Sequence, residues 1–270
     1  MGRSNRMKWL LAAAVVILVL IGLSLGLGGS RGGALNVVGS TSIQPFAEML
    51  AQRYQKTHPD RYVDVQGGGS TAGLQAAANG VADIGMCSRS LKPEEPFTAF
   101  TIARDGLAVV VPLSNPVDAL SRDQIRKIFA GDILRWSKVG GEDRPIRPIT
   151  REEGSGTREA FVKLVMGKSR ISRKALTQES NGAVKELVKH DSCAIGFMSL
   201  GLVGDELKAV AVDGVAPSAA AVTSGRYPLV RPFLFVTQGK PSPSAQAFIE
   251  YVLSPDGQRL LEKEGLVGAK

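Results

Sequence analysis

Short apolar runs alternate with helical stretches along most of this chain. Residues 35–38 read as a strand, followed by Gly39-Ser40-Thr41-Ser42 and a helix over 43–56 in which Phe46, Met49, Leu50 and Tyr54 recur at helical spacing. His58-Pro59-Asp60 ends that helix. A second strand is expected over 62–65, then Gly67-Gly68-Gly69-Ser70-Thr71, then a helix over 71–78 stopped by Asn79-Gly80, then a strand over 81–86. Strand, small-residue turn and helix in repeated succession is the pattern of an α/β domain with a largely parallel sheet.

The second half continues the pattern. Residues 106–113 form an unbroken apolar run, which predicts a buried strand. A new unit starts after Asn115-Pro116, with a helix over 122–130, a strand over 146–150, the turn Gly154-Ser155-Gly156-Thr157 and a helix over 158–166. Asn181-Gly182 opens a helix over 183–189, and 194–198 is again a strand. A second long apolar run spans 227–236, and helices over 244–253 and 255–264 close the chain. If both long runs cross between units, the chain forms two lobes around a cleft. Residues 34–112 with 228–270 then make one lobe, and 113–227 make the other.

The first 33 residues stand apart. Arg3, Arg6 and Lys8 precede an uncharged run from Trp9 to Leu27, which is the order of an export signal. The run is also long enough to cross a bilayer, so a cleaved signal peptide and a retained anchor are both open readings. Either one puts the remaining chain outside the cytoplasm, in the periplasm or an equivalent space. Lipid attachment is excluded because no cysteine follows the run. The leader also changes the charge balance. The formal charge is +8, but the leader holds four of the 33 basic residues and no acid, leaving 29 basic against 25 acidic residues. That mild excess suits an anionic ligand. It comes without a basic, aromatic-interleaved run, so nucleic acid is not an expected partner. Cys87 and Cys193 each border an apolar run and read as small buried residues rather than as a disulfide.

The candidate chemistry lies in the turns. Small residues at strand-to-helix turns let backbone N–H groups approach a ligand, and the helix N-terminus behind them favours an anion. Three such turns, with Arg151 beside the third, point to one tetrahedral oxyanion held from several sides. Enzyme readings fail on specific residues. A nucleophile elbow needs glycine where Glu153 and Thr157 stand, and His58 and His190 both read as surface residues. The glycine-rich runs lack the lysine of a nucleotide-binding loop, and no His/Cys/carboxylate cluster suggests a metal. No cofactor is expected.

Several of these segments together resemble the phosphate-binding proteins of ATP-binding cassette phosphate importers. They are Gly39-Ser40-Thr41-Ser42, Gly68-Gly69-Ser70, Ala82-Asp83-Ile84-Gly85, Ile128-Phe129-Ala130-Gly131-Asp132-Ile133 with Trp136, and Arg151 with Gly154-Ser155-Gly156-Thr157. Ser180-Asn181-Gly182-Ala183-Val184, Ala194-Ile195-Gly196-Phe197 and Tyr227-Pro228-Leu229-Val230-Arg231-Pro232 continue the series in order to the C-terminus. The resemblance implies a two-lobed type II periplasmic-binding-protein fold closing on inorganic phosphate, with permease subunits in the membrane as partners. Carried over by position, Thr41, Ser42, Ser70, Ser88, Ser155, Gly156 and Thr157 would contact phosphate, Arg151 would supply the cation, and Glu153 would hold Arg151. Ser88 stands where some members carry an aspartate that accepts the phosphate proton. Sulfate, molybdate or tungstate therefore remain alternative ligands, and a membrane-anchored phosphate sensor remains an alternative role. Asp83 is expected to brace its turn, and Arg89 to brace a surface or the lobes.

Overall fold

The computed structural model describes residues 34–269; the leader read over 1–33 lies outside them. The strands are β1 (Leu35–Gly39), β2 (Val63–Gly67), β3 (Ile84–Cys87), β4 (Thr98–Pro112), β5 (Ala119–Leu120), β6 (Arg147–Arg151), β7 (Leu176–Gln178), β8 (Ala194–Ser199), β9 (Leu207–Ala209), β10 (Ala211–Val212), β11 (Val230–Thr237) and β12 (Val267–Gly268). The helices are α1 (Gln44–Thr57), α2 (Ser70–Ala78), α3 (Arg122–Ala130), α4 (Gly156–Phe161), α5 (Asn181–His190), α6 (Ala219–Thr223), α7 (Pro243–Leu253) and α8 (Pro255–Lys263). The main sheet runs β2-β1-β3-β11-β4-β8-β6-β7. β1 is parallel to β2 and β3, and β8, β6 and β7 are parallel to one another. β11 and β4 run antiparallel between these two parallel groups.

β4 belongs to both lobes. Its first part, from Thr98 to Gly106, pairs with β11, and its second part, from Leu107 to Pro112, pairs with β8 and β9. Only the second part is the unbroken apolar run legible in the sequence, and it is buried throughout. Two cores result. One gathers Leu35, Phe46, Leu50, Ile84, Phe233 and Phe248; the other gathers Val109, Phe129, Trp136, Phe161 and Phe197. Among the described residues, no helix is long and apolar enough to cross a membrane.

The packing sets the position of the turns. Gly39 ends β1 at φ 143°, and a side chain there would strike the Met86 carbonyl. This absence of side chains lets α2 lie directly on β1 and β3, which brings Ser70 against the strand ends. In the second lobe, Phe161 at the end of α4 stacks on Phe197 at a centroid distance of 4.0 Å and meets Phe129 at 4.7 Å. Three interlocked rings fix α4 behind the Ser155 turn, and truncating a buried Phe of this kind costs about 3–5 kcal/mol.

Several boundaries differ from expectation. The helix expected over 158–166 begins at Gly156 and becomes a π-helical turn, Val162–Met166, that Gly167 ends at φ 57°. α3 matches its expected range because both of its ends are coded locally. Ser121 and Gln124 form a capping box, and Gly131 takes the left-handed conformation at its C-terminus. Cys87 and Cys193 are free, buried thiols.

Candidate functional site

The small-residue turns all follow strands of the main sheet at their carboxyl ends. Ser40, Thr41 and Ser42 follow β1, Ser70 opens α2 after β2, Ser88 follows β3, and Arg151 ends β6 just ahead of Ser155, Gly156 and Thr157. This is where ligands bind in open α/β sheets. The two lobes present these groups to each other directly. Ser42 Oγ lies 2.8 Å from Thr157 Oγ1, and the Thr71 N–H donates to the Gly154 carbonyl at 3.0 Å. Ser70 Oγ accepts from the Ser88 N–H at 3.0 Å and lies 3.3 Å from Ser88 Oγ. Gly156 faces both serines. A Cβ there would fall inside van der Waals contact of Ser70 Oγ and 2.7 Å from Ser88 Oγ.

Ser155 has a structural duty within this arrangement, because its Oγ caps α4 by accepting from the Arg158 N–H at 3.3 Å. Arg151 is buried. Its Nη2 reaches across to Thr41 Oγ1 at 3.2 Å, and its Nη1 is buried without a hydrogen-bond partner. The expectation for its brace is corrected. Glu153 is exposed, whereas Glu152 accepts from Arg151 Nε and Nη2, both at 2.9 Å. The guanidinium turns back toward the adjacent carboxylate, and its Nε and Nη2 also donate to the carbonyls of Gln178 and Glu179, which leaves Nη1 as the free edge.

The sequence reading missed two members. Arg231, on β11, donates to Thr157 Oγ1 at 2.8 Å, Ser42 Oγ at 3.1 Å and the Ser88 carbonyl at 3.3 Å. It is therefore a second cation beside Arg151, the cation expected from the resemblance. Asp105 on β4 balances it at 2.9 Å, and Ser199 donates to the other oxygen of that carboxylate. Burial pushes the Asp105 carboxyl up from its ordinary value, with the Arg231 charge opposing that shift. Burial likewise pulls the Arg231 guanidinium down against Asp105. The signal in the sequence was a lone charge inside a buried apolar run, since such a charge must be paired. Asn181 is the second omission. Ser180, not Asn181, caps α5, which frees the Asn181 side chain to donate to Thr41 Oγ1 at 3.3 Å and Ser42 Oγ at 2.8 Å.

The neighbouring residues have separate duties. Asp83 accepts from the Asn36 N–H, tying β3 to β1. Arg89 pairs with Glu95 and Glu159. His58 and His190 are exposed. Among the described residues, no group of three or more His, Cys, Asp or Glu side chains could hold a metal.

Two α/β lobes joined through shared strands, with donor groups from both converging at the strand ends, define a type II periplasmic-binding-protein fold. Residues 28–256 match the model of the PBP superfamily domain. The phosphate-binding protein PstS of Bacillus subtilis is 31% identical over 84% of this chain and 77% of its own length. A Clostridium perfringens substrate-binding protein of the phosphate ABC transporter type, solved with bound phosphate, superposes with a TM-score of 0.85. It is 36% identical, and the match covers 88% of this chain and 100% of that one. An ABC-type phosphate transport receptor from Vibrio cholerae has a TM-score of 0.73 and 38% identity, covering 86% and 99%. The chain belongs to the PstS family of phosphate-binding proteins.

Proposed function

We propose that this protein captures inorganic phosphate between its lobes outside the cytoplasm and delivers it to the membrane subunits of an ABC-type phosphate importer. One observation carries the reading. Hydroxyl, amide and guanidinium donors from both lobes meet at a single point, and one of them, Arg151 Nη1, is buried with no partner. A buried donor left unmatched costs about 1–3 kcal/mol, which an anion would recover. In this reading Thr41, Ser42, Ser70 and Ser88 form one jaw, and Arg151, Ser155, Gly156 and Thr157 form the other. Arg231 and Asn181 join the ring where the jaws meet. Ser42 and Thr157 now touch, so an entering anion exchanges their mutual hydrogen bond for bonds to its own oxygens.

The names of the relatives favour phosphate over sulfate, molybdate or tungstate. The same relatives are binding and transport proteins, which agrees with a non-enzymatic role. A ligand of five heavy atoms gains at most about 1.5 kcal/mol per atom, or about 7.5 kcal/mol, which corresponds to low-micromolar affinity. The basic-then-apolar leader supports export, either as a cleaved signal or as an anchor.

Thermal-shift measurements with phosphate, sulfate, molybdate and tungstate test the ligand. Phosphate at a hundredfold excess over its Kd should stabilise the folded state by about 2.7 kcal/mol. Stabilisation by sulfate without stabilisation by phosphate would overturn the assignment.

A further inference from the structure

Outside the hydroxyl ring, the lobes meet again along a groove of about 340 Å³. Ser90–Pro93 of the first lobe and Glu159, Ala160, Lys163 and Leu164 of the second form its sides, and Val230–Pro232 forms its floor. At its edge one second-lobe carboxylate sits between two first-lobe cations. Glu159 Oε2 lies 3.0 Å from Arg89 Nε and 3.3 Å from Lys92 Nζ. Arg89 is held in place for this contact. Glu95 accepts from its Nη1 at 2.8 Å and its Nη2 at 2.7 Å, and the same carboxylate accepts the Lys92 N–H at 2.7 Å.

We propose that Glu159 is an interlobe latch, a positioning residue that closes onto Arg89 and Lys92 and slows the separation of the lobes. Its place in the chain supports this. Arg89 follows Ser88, whose N–H and carbonyl both engage the ring. Glu159 lies on α4, two residues after Thr157. The ion pair thus ties together the same two elements as the hydroxyl ring, but from outside it, without touching an anion held there. Arg89 is almost fully buried and fixed by two bonds to Glu95, so pairing with Glu159 costs it little side-chain freedom. Glu159 is about one-quarter exposed, so water can compete for it once the lobes part. A contact formed only in the closed state should act on dissociation rather than on encounter.

The kinetic half of the test rests on the phosphate-capture reading; the distance half does not. In stopped-flow measurements with inorganic phosphate, Glu159→Gln should raise the dissociation rate by roughly five- to tenfold while the association rate stays within about twofold. The wild-type dissociation rate should rise more steeply with ionic strength than that of the variant. Lys92→Gln should act in the same direction more weakly, and the double variant should fall short of the product of the two effects. Glu153→Gln, an exposed change in the turn before α4, should leave both rates unchanged. Spin labels at V81C and L134C, exposed positions on opposite lobes, read the lobe separation without ligand. Glu159→Gln should shift that distance distribution to longer values. An unchanged distribution together with an unchanged dissociation rate would overturn the latch. Absence of phosphate binding by the wild type would sink the capture reading instead and leave the distance measurement to decide.

Discussion

Ser42 Oγ and Thr157 Oγ1 are 2.8 Å apart although 115 residues separate them. Neither hydroxyl has its position set by its own turn alone. Arg231 reaches both, and Asn181 reaches Ser42. The first-lobe hydroxyls are thus held by groups from the second lobe and from the strand that returns out of it. Affinity should depend on this shared ring and on the free edge of Arg151.

Arg151→Ala removes the buried guanidinium whose Nη1 has no partner. It should abolish most phosphate binding in titration calorimetry, because hydrogen bonds to charged groups contribute about 1.5–3 kcal/mol each. Ser42→Ala removes one neutral hydroxyl and should cost about 1–2 kcal/mol of affinity. Equal losses in the two variants would contradict the division of roles.

Gly156→Ala separates closure from folding. The new methyl group would collide with Ser70 Oγ and crowd Ser88 Oγ, both across the cleft. Phosphate affinity should fall by about a hundredfold or more, as a shift near 3 kcal/mol implies. The melting temperature without ligand should hold or rise, since alanine suits the first turn of a helix better than glycine. A large drop in that temperature would show that the glycine serves the fold of α4 instead.

Arg231→Met leaves the Asp105 carboxylate buried without its cation. Breaking a buried pair in this way costs about 3–5 kcal/mol. The loss should be visible in urea denaturation, and adding Asp105→Asn should restore part of it. Full stability of Arg231→Met would mean that the pair contributes only to the ring.

Glu95 links the latch to acid stability. Its hydrogen bonds from Arg89 hold its carboxyl below the ordinary range. A depressed folded-state value stabilises the protein above the unfolded value, about 4.3, and that stability is lost as pH falls through the lower folded value. Glu95→Gln should therefore reduce stability at neutral pH and flatten the fall below about pH 4.3, measured by denaturant titration at each pH. An unchanged acid limb would show that Glu95 contributes nothing to it.

The parallel units were legible because their strands are short apolar runs ended by Gly/Ser/Thr turns, as at Leu35–Gly39 and Ile84–Cys87. The first half of β4 was not. Thr98 to Asp105 mixes exposed and buried positions and carries Arg104 and Asp105, so no single period marks it. The two-residue strands β5, β10 and β12 are too short for any pattern to show, and only their partners define them. In the candidate site, residues on the glycine-rich turns could be found from local sequence. Arg231 and Asn181 could not be placed there, because their roles depend on a strand insertion and a helix cap that bring distant segments together.

The position of β11 between β3 and β4 has a consequence for synthesis. A chain that emerges N-terminus first makes β3 and β4 long before the strand that belongs between them. The first lobe's part of the main sheet waits while the whole second lobe is made, and non-local pairing of this kind folds slowly. Truncation ahead of Val230 would leave two bare strand edges open to other chains. Delayed completion also keeps the growing polypeptide unfolded, the condition in which a chain can be threaded through a narrow channel.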